Sequence, residues 1–342
     1  MMRLSKAITA LCFLGGFALF GGMVYRVGLS GLLESLRILG PWLLPYVLLR
    51  VLPIFLHTAA WAACFSGQRL PLPLWQLALV RQAGNTINQL TPTADLGGEV
   101  TKALLLEPVM PREQAMAAVV IEKGGTTLAK MAYLALGTVY LTHYLPLSTE
   151  LKVSLVLVIG LISLGLIGFI AFQRYGLLSR LVQQLKCLQI GLATLECLSH
   201  RLARMDEELV AYYTRHPWRF VRSLGLHFVG YTFDVVKTYI LLCLLLGEQA
   251  PGLPETAMVT VAVAALDQLF FFVPGRVGTF EGARFVVLSA LGVTHVYGLA
   301  FGIVARVEQL AWSVFGMLSY ALIRRLLPRS IIPREAKASS AS

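Results

Sequence analysis

Two segments of the sequence carry the same pattern of a proline, a glutamate and a basic residue. The glutamate follows the proline by seven residues and the cation follows the glutamate by three, giving Pro92, Glu99 and Lys102 in one copy and Pro274, Glu281 and Arg284 in the other. Residues three apart on a helix share one face. Each copy therefore offers a cation that can bind a phosphate or pair with its own glutamate.

The residues around each pattern predict a helix that breaks and restarts. Proline removes a backbone donor and interrupts the helix, and glycine lets the chain turn. The restarted helix presents free N–H groups and the positive end of its dipole, which attract anions. The predicted break residues are Pro92, Gly97, Gly98, Pro274, Gly275, Gly278 and Gly282.

Polar side chains before each proline are further candidates for ligand contact. Asn85 and Asp267 each lie seven residues before a proline, and the first arm also carries Arg81, Asn88 and Gln89. Hydrogen bonds to a sugar or a phosphate would use these side chains. A purely structural alternative stays open, because the helix dipole favours a first-turn glutamate without any ligand. The candidate substrate-binding residues are Arg81, Asn85, Asn88, Glu99, Lys102, Asp267, Glu281 and Arg284.

Composition places these residues in a membrane protein. The 342 residues are 57% hydrophobic and 14% charged, with a mean hydropathy of +0.72. Soluble domains carry about 25% charged residues, and the apolar residues here form blocks long enough to cross a bilayer. We expect an integral membrane protein without an independent soluble domain. Ionisable groups are costly inside a bilayer, which favours a functional interpretation of the repeated pattern.

Charge and cysteine usage exclude several other classes. The formal net charge is +11, but the basic residues lie at the ends of apolar blocks, as the positive-inside rule predicts, so nucleic acid is not an expected partner. Five cysteines and six histidines are scattered without metal-ligand spacing. No metal and no cofactor is implied.

Charge bias and the parity of crossings predict the topology. The apolar blocks are 7–24, 41–66, 74–90, 115–142, 152–172, 223–246, 256–273, 282–293 and 296–323. The connector 173–222 holds eight basic and four acidic residues, which predicts a cytoplasmic segment with an amphipathic helix on the membrane face. If the N-terminus is cytoplasmic, the number of membrane crossings fits only when two segments enter and leave the membrane on the same side. Segment 74–106 would then be a hairpin that enters from the cytoplasm, and 256–293 a hairpin that enters from outside.

The predicted fold class is an all-α polytopic membrane protein with about seven full spans. Two re-entrant helical hairpins would form an inverted-topology repeat, an arrangement used by transporters. The predicted parts are an N-terminal membrane half (1–172, with hairpin 74–106), the connector (173–222), a C-terminal membrane half (223–323, with hairpin 256–293) and a cytoplasmic tail (324–342). Block 7–24 is interpreted as a retained first span, with both termini in the cytoplasm.

Other charges lie inside the apolar blocks. Asp234 and Lys237 are one helical turn apart and are predicted to pair. Arg50 and Arg81 have no acidic partner nearby in sequence and are predicted to line a polar cavity. Lys130 could instead extend to an interface.

The arm ending in TPTADLGGEVTKALLL (91–106) and the segment VPGRVGTFEGARFVVLSALGV (273–293) resemble the lysylphosphatidylglycerol synthase membrane-domain and flippase-like family. The resemblance spans nearly the whole chain and implies a bacterial or archaeal inner-membrane protein that flips a lipid or helps to process one. VPGRVGTFEG also resembles a branch associated with hopanoid biosynthesis. Full-length synthases add a soluble aminoacyl-transferring domain after the membrane part. The sequence ends at Ser342, so we expect that activity to be missing and an enzymatic role to be disfavoured.

Three functions follow as hypotheses. The leading one is an inner-membrane lipid translocase for an anionic phospholipid or a lipid-linked headgroup, driven by an ion gradient or by downhill flow. The second is an intramembrane lipid-modifying transferase with Glu99 or Asp267 as base. The third is a non-catalytic partner of lipid- or hopanoid-biosynthesis enzymes. The sequence leaves the lipid, the direction of transport and the oligomeric state open.

Overall fold

The computed structural model describes residues 39–67, 70–90, 96–144, 149–175, 192–269 and 278–327, together with Leu33 and Arg37. All regular secondary structure in these residues is helical, which confirms the predicted all-α class. The predicted first span (7–24), the amphipathic part of the connector (176–191) and the tail beyond residue 327 lie outside the described residues.

The described α-helices vary widely in length. They are α1 (Leu43–Leu48), α2 (Val51–Ala62), α3 (Leu74–Leu90), α4 (Gly97–Leu106), α5 (Arg112–Tyr144), α6 (Thr149–Arg174), α7 (Leu192–Arg215), α8 (Pro217–Leu246), α9 (Leu253–Leu269), α10 (Thr279–Ala290) and α11 (His295–Leu326). Two 3₁₀ turns, Gly40–Trp42 and Gly247–Gln249, precede α1 and follow α8.

Three helical stretches among the described residues are long and apolar enough to cross a membrane. They are Gly40–Ala62, Pro217–Gln249 and His295–Leu326, and they correspond to the predicted blocks 41–66, 223–246 and 296–323. The outer surface is apolar as well, since Leu161 is 73% exposed and Leu318 is 63% exposed. Exposed leucines on this scale suit contact with lipid rather than water.

Each proline-containing segment includes two described helices, separated by residues that lie outside the described ranges. The first is α3 followed by α4, and the second is α9 followed by α10; in each the two helices contact each other. The observed arms, 74–106 and 253–290, lie close to the predicted hairpin bounds. Pro92, Pro274 and Gly275 lie outside the described residues.

The helix contacts repeat between the two halves of the chain. The stretch α1–α2 corresponds to α8, while α3, α4 and α5 correspond to α9, α10 and α11. Several contacts among these helices then have a counterpart: α3 with α4 and α9 with α10, α4 with α5 and α10 with α11, α3 with α11 and α9 with α5, α2 with α5 and α8 with α11. The contact between α2 and α8 is its own counterpart. The same set of helix contacts therefore recurs in the two halves.

Glycines permit close approach at two corresponding helix crossings. A side chain added at Gly316 on α11 would lie 2.7 Å from the Gln82 carbonyl oxygen on α3, and one at Gly137 on α5 would lie 2.7 Å from Val261 on α9. Small residues at crossings allow the tight packing on which helix association in lipid depends. α5 and α11 thus each cross a helix of the other half at a glycine.

We expect Gly316→Ala to destabilise the protein by about 1–3 kcal/mol, because the new methyl group meets a backbone oxygen that cannot move freely. The matched control is Gly165→Ala on α6, where nothing lies within 4 Å and alanine favours the helix by about 1 kcal/mol. Thermal unfolding in detergent measures both. Equal melting temperatures for the two variants would contradict this packing.

Candidate functional site

A group of charges, four of them buried, surrounds the start of α4. Lys102 is 2% exposed, and its Nζ lies 2.9 Å from Glu99 Oε2 and 3.5 Å from Glu122 Oε2 on α5. Arg81 on α3 reaches Glu122 Oε1 at 3.4 Å, and Lys123 Nζ is 3.7 Å from Glu99. We call these five residues the N-terminal charge cluster. It holds three cations and two carboxylates.

Close packing of α3 against α4 positions this cluster. A Cβ at Gly84 would lie 2.6 Å from Lys102 Cγ and 2.8 Å from the Gly98 carbonyl oxygen. Asn88 Oδ1 accepts a 2.6 Å hydrogen bond from the Gly98 N–H, and Asn88 Nδ2 donates to Glu99 at 3.3 Å. Asn88 thus satisfies an otherwise free donor at the start of α4 and orients the carboxylate that faces Lys102.

A second group of charges surrounds the start of α10. Arg284 donates two hydrogen bonds, of 3.0 and 2.9 Å, to the Asp267 carboxylate on α9. Glu281 accepts bonds of 2.6 and 3.1 Å from Arg306 on α11, and one of 3.0 Å from the Gly278 N–H. These four side chains, of Asp267, Glu281, Arg284 and Arg306, are the C-terminal charge cluster. Gly278 has φ 73°, a backbone conformation that favours glycine.

The two clusters are built in corresponding ways. Glu99 and Glu281 are each the third residue of a short helix that follows a break. Each glutamate is met by a cation from the next long helix, Lys123 on α5 and Arg306 on α11. Both cations lie eleven residues after the first residue of their helices, Arg112 and His295. The repeat seen in the packing therefore extends to the charged side chains.

The structure bears out one predicted local ion pair and corrects another. Glu99 and Lys102 contact each other as their spacing predicts. The predicted pairing of Glu281 with Arg284 is wrong, since Arg284 binds Asp267 and Glu281 binds Arg306. The planar guanidinium matches a facing carboxylate with two parallel bonds, and Asp267 on the preceding arm provides that geometry.

Several isolated charges have partners on distant helices. Arg81 contacts Glu122, which is 41 residues away in sequence. Lys237 contacts Glu308 on α11 instead of the predicted Asp234, and Arg50 lies 3.5 Å from the same carboxylate. The interpretation of Arg50 and Arg81 as cations without acidic partners is corrected accordingly.

Two other polar side chains join helices of different halves. Lys130 Nζ on α5 donates a 2.7 Å bond to Gln268 on α9. Gln89 accepts a 2.7 Å bond from Ser313 on α11, so this amide joins α3 to α11. Asn85 is half-buried on α3.

Sequence reasoning did not assign Glu122, Lys123 and Arg306 to the site. The signal for them was present as charges inside apolar blocks, where such residues are costly and usually paired. Their partners could not be identified from spacing, because each contact joins different helices. In the part of the chain that the structure describes, no three or more His, Cys, Asp and Glu residues are arranged to hold a metal ion.

Comparison with known proteins agrees with this architecture. Residues 7–316 match the family described as lysylphosphatidylglycerol synthase TM region. The chain belongs to this family of helical membrane proteins, which is linked to lipid handling, and the resemblance found in the sequence is confirmed. Searches of curated proteins and of solved structures gave no significant match.

Replacing Glu122 with glutamine should destabilise the protein strongly, by about 3–5 kcal/mol, because Arg81 and Lys102 would stay buried without their shared carboxylate. Glu113→Gln is the matched control. Its partner Arg204 is 62% exposed, and exposed pairs contribute about 0–1 kcal/mol. Melting temperatures in detergent separate the two variants, and a Glu122→Gln protein as stable as the control would refute the assigned ion pairs.

Proposed function

We propose that the protein is a translocase of the inner membrane that binds an anionic phospholipid or a lipid-linked anionic headgroup. The observation that carries this proposal is the duplicated charge cluster, in which a buried Glu and cation lie at each of two helix breaks. Membership of a family linked to lipid handling supports the same substrate class.

The charges of the N-terminal cluster favour an anion over a cation as ligand. Its three cations, Arg81, Lys102 and Lys123, carry N–H donors that can bind the oxygens of a phosphate. Lys102 is held by oxygens of both Glu99 and Glu122 at 2.9 and 3.5 Å, and either contact can be exchanged for a phosphate oxygen. Paired charges of this kind recover little of their desolvation cost, which makes exchange of partners feasible.

Arg284 is the corresponding ligand in the second half. Its bonds to Asp267 join the two arms of the second segment, and its guanidinium carbon lies 3.4 Å from the Phe280 ring centre. A phosphate can replace the carboxylate with the same two-bond geometry. Binding at Arg284 would therefore release Asp267 and loosen α9 from α10.

The repeated packing supplies a way to expose the site on alternate faces. In our proposal the segments 74–106 and 256–293 are re-entrant hairpins that open to opposite sides of the membrane, with both termini in the cytoplasm. Inverted repeats of this kind work by movement of one repeat against the other around a shared site. The contact between α2 and α8, which lies at the centre of the repeat, would be the axis of that movement.

Replacing Lys102 or Arg284 with glutamine should slow the transfer of an anionic lipid about 10–100-fold, since a hydrogen bond to a charged group contributes about 1.5–3 kcal/mol. The measurement uses purified protein in phosphatidylcholine vesicles with trace fluorescent phosphatidylglycerol and a membrane-impermeant quencher. Arg112→Gln is the matched control, because Arg112 is 50% exposed and pairs only with Glu107 in the described ion pairs.

Three further measurements distinguish the translocase from the competing interpretations. Fluorescent phosphatidylcholine tests whether transfer requires an anionic headgroup, and excess sulfate in solution tests whether a free anion competes for the site. Mass spectrometry of the recovered lipid detects chemical change, which would support an enzyme instead. Transfer by both variants at the wild-type rate would refute the proposed ligands.

A further inference from the structure

Two histidines face each other where α2 crosses α8. The Nδ1 atoms of His57 and His227 are 2.7 Å apart, and the ring centres are 5.0 Å apart. His227 is fully buried, and its Nε2 has no hydrogen-bond partner among the described residues. The facing position on α8 is Gly230, where an added Cβ would lie 2.8 Å from the His57 ring. The close approach of α8 to this imidazole therefore requires glycine.

The geometry limits where the protons of this pair can reside. Two nitrogens at 2.7 Å share one hydrogen, so one ring donates through Nδ1 and the other accepts. His227 Nε2 lies 4.0 Å from Glu122 Oε1. A protonated Nε2 is favoured beside a carboxylate, so His57 is the donor, and its own Nε2 carries no hydrogen in the neutral pair.

One additional proton has a defined path through the pair. It binds at His57 Nε2, and the shared hydrogen then passes from His57 Nδ1 to His227 Nδ1. This transfer leaves His57 neutral and makes His227 an imidazolium that faces Glu122. Thr126 Oγ1, 3.3 Å from His227 Nδ1, accepts a hydrogen bond from Tyr231 or donates one to the ring.

The charged groups around the histidines link them to the N-terminal charge cluster. Burial of the pair opposes a charge on either ring, as do the cations Arg81 on α3, Lys102 on α4 and Arg50 just before α2, whereas Glu122 on α5 attracts a proton to His227. Arg81 and Lys102 are also the cations that compensate Glu122. When a phosphate draws either cation away, Glu122 loses a positive partner, and a proton on His227 can replace it.

We propose that the His57–His227 pair binds the proton that couples anion binding to transport. This inference rests on the proposed function and adds the source of its energy. Binding of the anion and of the proton strengthen each other, and the coupling is reciprocal. Imidazole suits this role because its ordinary protonation equilibrium lies closest to neutral pH. A monoanionic lipid and one proton would cross together without net charge.

A pH gradient across vesicles tests the coupling. With one pH unit across the membrane, wild-type protein should enrich fluorescent phosphatidylglycerol in the leaflet on the alkaline side, up to about tenfold at steady state for one coupled proton. In His57→Gln the leaflet ratio should stay near one. His295→Gln, at an exposed histidine that contacts Ser289, should respond like wild type. Wild-type transfer that ignores the gradient, or a normal response of His57→Gln, would overturn the proposal.

Proton uptake by the detergent-solubilised wild-type protein separates this inference from the proposed function. Addition of dihexanoyl phosphatidylglycerol in weak buffer at neutral pH should take up about one proton per bound lipid, measured with an indicator dye. Sulfate alone is tested as a second ligand. Proton uptake when sulfate binds also supports the coupling of anion and proton, and it would show that a free anion is recognised without the lipid. Proton uptake by a protein that does not transfer lipid would support the proton site and refute the translocase. Lipid binding without proton uptake would refute the proton site.

Discussion

Charge compensation inside an apolar helical bundle is the constraint on which the rest of this structure depends. An uncompensated charge within a bilayer is expensive, and the described core buries Lys102, Glu122, Glu281 and Arg284. Each of them is paired with a residue of another helix or of the same short helix. The positions of α3, α4, α5 and α11 are therefore fixed by where these charges must meet as well as by the packing of apolar surfaces.

The two clusters also satisfy backbone donors at the starts of α4 and α10. A helix that restarts inside the protein brings free N–H groups to its first turn, and these donors need partners. Asn88 supplies one partner for α4, and the Glu281 carboxylate accepts the Gly278 N–H at α10. The same turns hold the glutamates that bind cations from the long helices. At the start of both α4 and α10, the same turn therefore provides hydrogen-bond partners for backbone N–H groups and positions a charged side chain.

Local spacing was sufficient to predict part of this arrangement. The apolar blocks predicted the described helices, and the proline and glycine pattern predicted two helices in each of the segments 74–106 and 256–293. The pair of Glu99 and Lys102 followed from a three-residue spacing, because neighbours on one helix face must lie together. These features depend on residues within a few turns of one another.

The remaining partners depend on tertiary packing and could not be read from spacing. Arg81 meets Glu122 only because its side chain reaches from α3 to a residue of α5, and Arg306 reaches Glu281 only because α11 packs against α10. Asp234 and Lys237 have the spacing of a local pair, yet Glu308 from another helix provides the contact. A helix crossing that brings a third charge within reach can override a local pairing preference.

The central claim is that the two charge clusters bind an anionic lipid headgroup. Native mass spectrometry of the protein released from nanodiscs with equal amounts of phosphatidylglycerol and phosphatidylcholine tests it most directly. The account predicts preferential retention of phosphatidylglycerol by the wild-type protein and loss of that preference when Lys102 and Arg284 are both replaced by glutamine. Equal retention of the two lipids by the wild-type protein, or an unchanged preference in the double variant, would contradict it.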